Sequence, residues 1–189
     1  MRNALLSCLV ALFVCCFAVA RPVRAAEDHA APAAGTASGK APAGMPRVTG
    51  AKVLAVGLFT SMVESRGLTP HVADGIRDQA RDFTLVKRGP AQEARLETGI
   101  GLRYQLTGEP KGAEVLVDVV VRHPAMVNPD TQLPMTHSTA QYERSIGAVE
   151  HNVWSFDTPA GLVPGEYVIE VLHKGRVLAR QVFQVTVKP

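Results

Sequence analysis

Cysteine is confined to the first sixteen residues, at Cys8, Cys15 and Cys16, within the opening MRNALLSCLVALFVCCFAVARPVRAAEDHA. There Arg2 precedes an uncharged apolar run from Leu5 to Ala20, which falls short of the roughly 20 residues a membrane span needs. Small residues follow at Ala18 and Ala20 and again at Val23 and Ala25, ahead of the acidic Glu27 and Asp28. This pattern predicts a secretory signal peptide over residues 1–25, cleaved after Ala20 or Ala25, and a mature chain that is periplasmic or secreted, with no stable membrane span. Such a chain keeps no cysteine. That excludes a disulfide framework, a thiolate zinc site and a cysteine nucleophile, so the fold must rest on its hydrophobic core.

A charge surplus is missing as well. Three of the 20 basic residues, Arg2, Arg21 and Arg24, belong to the leader, which leaves 17 against 17 acidic ones. The remaining Lys and Arg do not cluster, so neither a nucleic-acid footprint nor a polybasic membrane patch is expected. Local catalytic signatures are absent: there is no G-x-S-x-G, H-E-x-x-H or S-x-x-K, and no phosphate-cradling glycine loop. No catalytic residue, metal site or cofactor is therefore assigned. Asn128, Asp130 and Gln132 place oxygens at alternate positions, but a calcium loop of the EF-hand type would need glycine at Leu133 and an acid at Thr139. The stretch reads better as a turn.

What is present is strand chemistry. After an Ala/Pro/Gly-rich tether over residues 26–50, too poor in apolar side chains to repay the entropy of folding, a single domain is expected over 51–189. Short segments rich in β-branched and aromatic residues recur at 51–63, 81–87, 100–108, 113–123, 136–143, 150–157, 165–173 and 176–187. The clearest alternation sets Ile100, Leu102, Tyr104 and Leu106 against Gly101, Arg103 and Gln105. Turns at Gly108-Glu109-Pro110-Lys111-Gly112, Pro164-Gly165 and His173-Lys174-Gly175-Arg176 separate the segments. Seven or eight such strands predict an all-β, antiparallel sandwich. The exception is 68–83, where Asp74, Asp78 and Asp82 recur at spacing four beside Arg77 and Arg81, as on the solvated face of a helix that Gly75 weakens.

Residues 99–123, GIGLRYQLTGEPKGAEVLVDVVVRH, resemble the middle of a bacterial family known as domain of unknown function 3859. Residues 155–185, with Leu-x-Pro-Gly leading into a strand and a Gly-Arg hairpin, are similar to its C-terminal half. The resemblance spans roughly 52–187 and implies an exported bacterial protein with an immunoglobulin-like or fibronectin-like sandwich. It implies no activity, cofactor or catalytic residue. Tyr167 stands where the family commonly has tryptophan, and residues 64–98 depart from the pattern.

Candidate binding residues come from strand parity. Val115, Val117, Val119 and Val121 share a face that His123 continues; Tyr167, Ile169 and Val171 share one that His173 continues. If the two strands run the same way, the histidines meet under one set of loops, joined by Asn128 and Asp130; otherwise each closes an end of the core. Pro124 is expected to stop its strand. Trp154 shares parity with Phe156 and is the candidate platform for a sugar if its face of the strand is exposed, and otherwise a core residue of the sandwich. The favoured function is non-catalytic binding of a protein or peptide in the cell envelope, by loops or an uncovered strand edge. The alternatives are a small metal-dependent or hydrolytic protein built on His123 and His173, and a carbohydrate-binding module.

Overall fold

The structure, a computed structural model, describes residues 44–68, 72–73, 76–129 and 131–188. The expected signal peptide, most of the tether, and His71, Asp74, Gly75 and Asp130 lie outside the described residues. Nine strands are present among the described residues: β1 (Arg47–Leu68), β2 (Ile76–Arg88), β3 (Ala91–Ala94), β4 (Thr98–Glu109), β5 (Glu114–Val127), β6 (Pro134–Ser145), β7 (Val149–Phe156), β8 (Gly165–His173) and β9 (Arg176–Val187). They form two sheets, ordered β2-β1-β4-β7 and β3-β9-β8-β5-β6. β1 begins at Arg47, ahead of the change in texture at Ala51, and Val48 is already part of the core.

Period-two alternation explains the layers. Ile100, Leu102, Tyr104 and Leu106 of β4 are wholly buried, and across from them lie the valine row of β5, the Tyr167-Ile169-Val171 row of β8, and Phe183 with Val185 of β9. Each large side chain so placed is worth about 1.5–3 kcal/mol of transfer free energy. The sandwich expected from the strand pattern is what forms. A ninth strand, β3, joins it in parallel with β9. It is only four residues long and carries Gln92 and Glu93, too short and too polar for alternation to announce it.

Two local expectations give way. The segment 68–83 supplies no helix among its described residues; instead β1 and β2 form a long hairpin whose pairing is interrupted by three register shifts. Asp82 adopts a positive φ of 55° within β2, so the aspartate spacing does not mark a helical face. Nor does β5 end at Pro124. The strand runs on to Val127, but Arg122 pairs with His137 and Met126 with Met135, so two residues are extruded from the ladder. Pro124 sits in that bulge, where its missing N–H forfeits no ladder bond.

Gly99 and Gly101 leave the outer face of β4 bare. A Cβ on Gly101 would come within 2.8 Å of Val153 Cα, so the β4–β7 approach requires glycine there. On the same outer face Phe83 of β2 stacks on His151 of β7 at 4.9 Å, and Phe59 of β1 meets that imidazole edge-on at 6.0 Å. The hairpin is thereby folded toward β7 instead of projecting away.

Candidate functional site

The β6–β7 connection passes from one sheet to the other, and each of these strands is the last in its sheet. Between them a cleft of about 500 Å³ opens into the sandwich. It exists because of side-chain size. The inward row of β6 is Ser138, Ala140, Tyr142 and Arg144; the first two are too small to reach Asn152 and Trp154 on the inward row of β7. Residues of the β1–β2 hairpin, Val72, Ala80 and Phe83, complete the rim.

Hydrogen bonds fix the hairpin tip against this opening. The Ala73 amide donates to Ser138 Oγ at 2.9 Å, and Asn128 Nδ2 donates to the Val72 carbonyl at 2.7 Å. His123 Nδ1 lies 2.8 Å from the Pro124 carbonyl, which can only accept, so Nδ1 carries the proton. Nε2, 3.1 Å from Ser138 Oγ, is then the acceptor of the serine hydroxyl. Burial is the main reason His123 has its pKa pushed below the usual imidazole value, and it holds the ring neutral, as this chain of bonds requires. Ser138 and His123 thus have the spacing of a nucleophile and its base. The serine is only 3 % exposed, however, and its oxygen already holds a backbone amide. The pair acts as a latch between hairpin and core.

Deeper in, Tyr104 Oη and Arg144 Nη2 both donate to Asn152 Oδ1, each at 3.4 Å. Burial raises the Tyr104 pKa to about 12, so its hydroxyl remains a donor at neutral pH. With Oδ1 engaged twice, the Asn152 amide is oriented, and its Nδ2 is left without a hydrogen-bond partner among the described residues. Trp154 Nε1 and His151 Nε2 are also buried and unpartnered there. Asn152 is 5 % and Trp154 7 % exposed. Arg144 forms an ion pair with Glu150 at 3.4 Å and lies 4.6 Å above the Tyr142 ring. Burial, with Arg103 and Arg144 nearby, pushes the His151 pKa down, so this imidazole too is neutral at pH 7.

The sequence-derived candidates divide. His123 and Trp154 come together, stacked at 5.0 Å with rings 28° apart. Asn128, wholly buried, joins them through the hairpin tip and shapes the β5–β6 turn by accepting the Thr131 amide at 2.9 Å. His173 does not join them. β5 and β8 are antiparallel, so their C-terminal tips lie at opposite ends of the sheet. His173 hydrogen-bonds the Leu116 carbonyl at 2.8 Å, seven residues back along β5 from His123, roughly 20 Å away at strand rise. The condition for a joint histidine site, strands running the same way, is not met. Among the described residues no three His, Cys, Asp or Glu side chains gather as a metal site. Trp154 packs its face on His123 and has no open platform. Ser138, Arg144 and Asn152 were not singled out by sequence; the small residues at 138 and 140, where other strands carry Val or Ile, were the available signal.

A two-sheet β-sandwich with a polar cleft between two terminal strands is the class that fold and site define. The chain belongs to the family described as Domain of unknown function (DUF3859), which it matches over residues 51–185. Among solved structures, it is similar to an immunoglobulin-like protein from Pseudomonas aeruginosa, at 20% identity and a TM-score of 0.47, covering 76% of this chain and 98% of that one. It is also similar to the alkylpurine DNA glycosylase AlkC of Pseudomonas fluorescens, bound to DNA containing an abasic site analog, at 19% identity and a TM-score of 0.32, over 69% of this chain and 30% of that one. No curated protein matches the chain. No helix among the described residues is long and apolar enough to cross a membrane.

Proposed function

We propose that this protein is a non-catalytic binding module of the cell envelope, periplasmic or secreted, that takes a protein or peptide partner as an added strand along β6. The observation that carries the reading is the edge itself. β6 is twelve residues long and is bonded only to β5 among the described strands, so its outer N–H and C=O groups form a template for pairing. The signal-like leader and the balanced charge support export and argue for a partner recognised by backbone pairing and shape. A photo-crosslinking amino acid placed at Thr139, on the exposed side of β6, tests it in the native cell envelope, with Val86 on β2 as control position. Discrete, reproducible adducts from 139 and none from 86 are expected; equal or absent labelling at both contradicts the proposal.

A further inference from the structure

Independently of the β6 edge, we infer that the concavity between the start of β1 and the β8–β9 turn is a binding site for a phosphate monoester. Arg47, Val48, Thr49, His173, Lys174 and Arg176 line a space of about 540 Å³ there, within the size range of small-ligand sites. It lies at the tip of β8 that carries His173, at the opposite end of the β5–β8 pair from His123 and the cleft. Three of its residues are cations that the fold gathers from distant parts of the chain, and no Asp or Glu lines it.

Backbone geometry fixes the walls. Lys174 and Gly175 have φ of 50° and 75°, the left-handed pair of a two-residue hairpin turn between β8 and β9. On β1 a register shift between Val48 and Gly50 leaves Thr49 without a partner in the β1–β4 register. Arg176 reaches across to this bulge: Nη1 donates to the Thr49 carbonyl at 3.2 Å and Nη2 to the Val48 carbonyl at 3.0 Å. Those acceptors are neutral, so they position the guanidinium without cancelling its charge, and they leave its Nε–H and one N–H on each terminal nitrogen for another partner. Glu109 stands opposite Arg47 in the β1–β4 register, yet none of the three cations forms an ion pair among the described residues.

The charge pattern selects the ligand. A phosphate monoester brings a charge of about −1.5 to −2 at pH 7 and three strong acceptor oxygens, against one charge and two oxygens for a carboxylate. It therefore answers three converging cations better. Arginine's planar fork and lysine's mobile point charge are both established ways of holding such a group. Two sources present it, a soluble ester and the headgroup of a lipid.

The test follows the amide NMR signals of Thr49, Lys174 and Gly175 while glycerol 3-phosphate is titrated at low ionic strength, with sodium acetate at matched ionic strength as control. Saturable shifts with the phosphate ester are expected. Lys174→Gln and Arg47→Gln, both at exposed positions, should each weaken binding at least about fivefold while signals elsewhere in the spectrum stay in place. Acetate moving the same amides with equal affinity, or both variants binding as wild type does, overturns the inference. Vesicles of phosphatidylcholine with and without phosphatidic acid separate the sources. Sedimentation with the phosphatidic acid vesicles alone, lost in Lys174→Gln, assigns the site to a lipid headgroup; binding of the soluble ester without such sedimentation assigns it to a soluble ligand. Binding of neither overturns the inference.

Discussion

The five-stranded sheet has two edges, and they are built differently. β3, at one edge, is four residues long, is preceded by Pro90, and is stitched down by Gln92, whose amide nitrogen donates to Gly89 O at 2.6 Å and to Arg88 O at 3.3 Å. β6, at the other, is three times as long and has its only proline at its first residue. Short length and proline are the usual defences of an edge against unwanted pairing. The other sheet's outer strand β2 is defended as well, by register shifts and by charged Arg81, Asp82, Lys87 and Arg88. The two edges beside the cleft, β6 and β7, have no proline past the first residue, and β6, with twelve residues against eight, is the longer of them. That asymmetry distinguishes a surface kept available from one merely left over.

The largest expected effect breaks the cleft's far wall. Gly101→Val forces a side chain into β7 at the closest approach of two strands, and should cost about 4 kcal/mol by chemical denaturation. A loss under about 1 kcal/mol would mean β7 is free to move and the cleft is not a fixed feature. Next, Gln92→Ala removes the stitch on the defended edge and should cost about 2 kcal/mol. If it also causes concentration-dependent association, β3 has become a pairing edge and its defence was real.

Lowering the pH sharpens the comparison by acting on the open side through His123 and His151. Both have folded-state pKa values below the ordinary 6.5. Above that value both folded and unfolded imidazoles are neutral and stability is at its full level. As pH falls below 6.5 the unfolded chain binds protons that the folded one refuses, so stability declines until the depressed folded values are passed. Urea midpoints between pH 8 and 5 should therefore fall, and His123→Gln should flatten part of the slope; an unchanged slope would show that His123 is not held neutral. The smallest stability effect belongs to Ala140→Leu. It adds volume where the cleft provides it, and should change stability by less than about 1 kcal/mol in either direction. A loss of several kcal/mol would show instead that the space is already filled.

Much of this architecture was legible because it rests on parity. The rows of β4, β5 and β8 could be read to the residue, and His123 is buried where its row placed it. Parity carries no information on strand direction, which is why it left open whether His123 and His173 meet; they lie at opposite ends of an antiparallel pair. It is also blind to bulges, so Pro124 read as a terminus when it occupies an extrusion in a continuing strand. The cleft was hidden for a different reason. Asn152 and Ser138 gain their meaning only when β6 and β7 become terminal strands of different sheets, a long-range fact that no local spacing encodes.

The central claim, that the long β6 edge and its cleft are where a partner binds, is tested most directly by crosslinking from Thr139 in the native envelope in wild type and in Ala140→Leu, once its urea midpoint shows the fold retained with the cleft filled. The account predicts discrete adducts in the wild type that fall at least about tenfold in the variant, a change equivalent to about 1.4 kcal/mol of binding. Adducts of equal yield in both would contradict it.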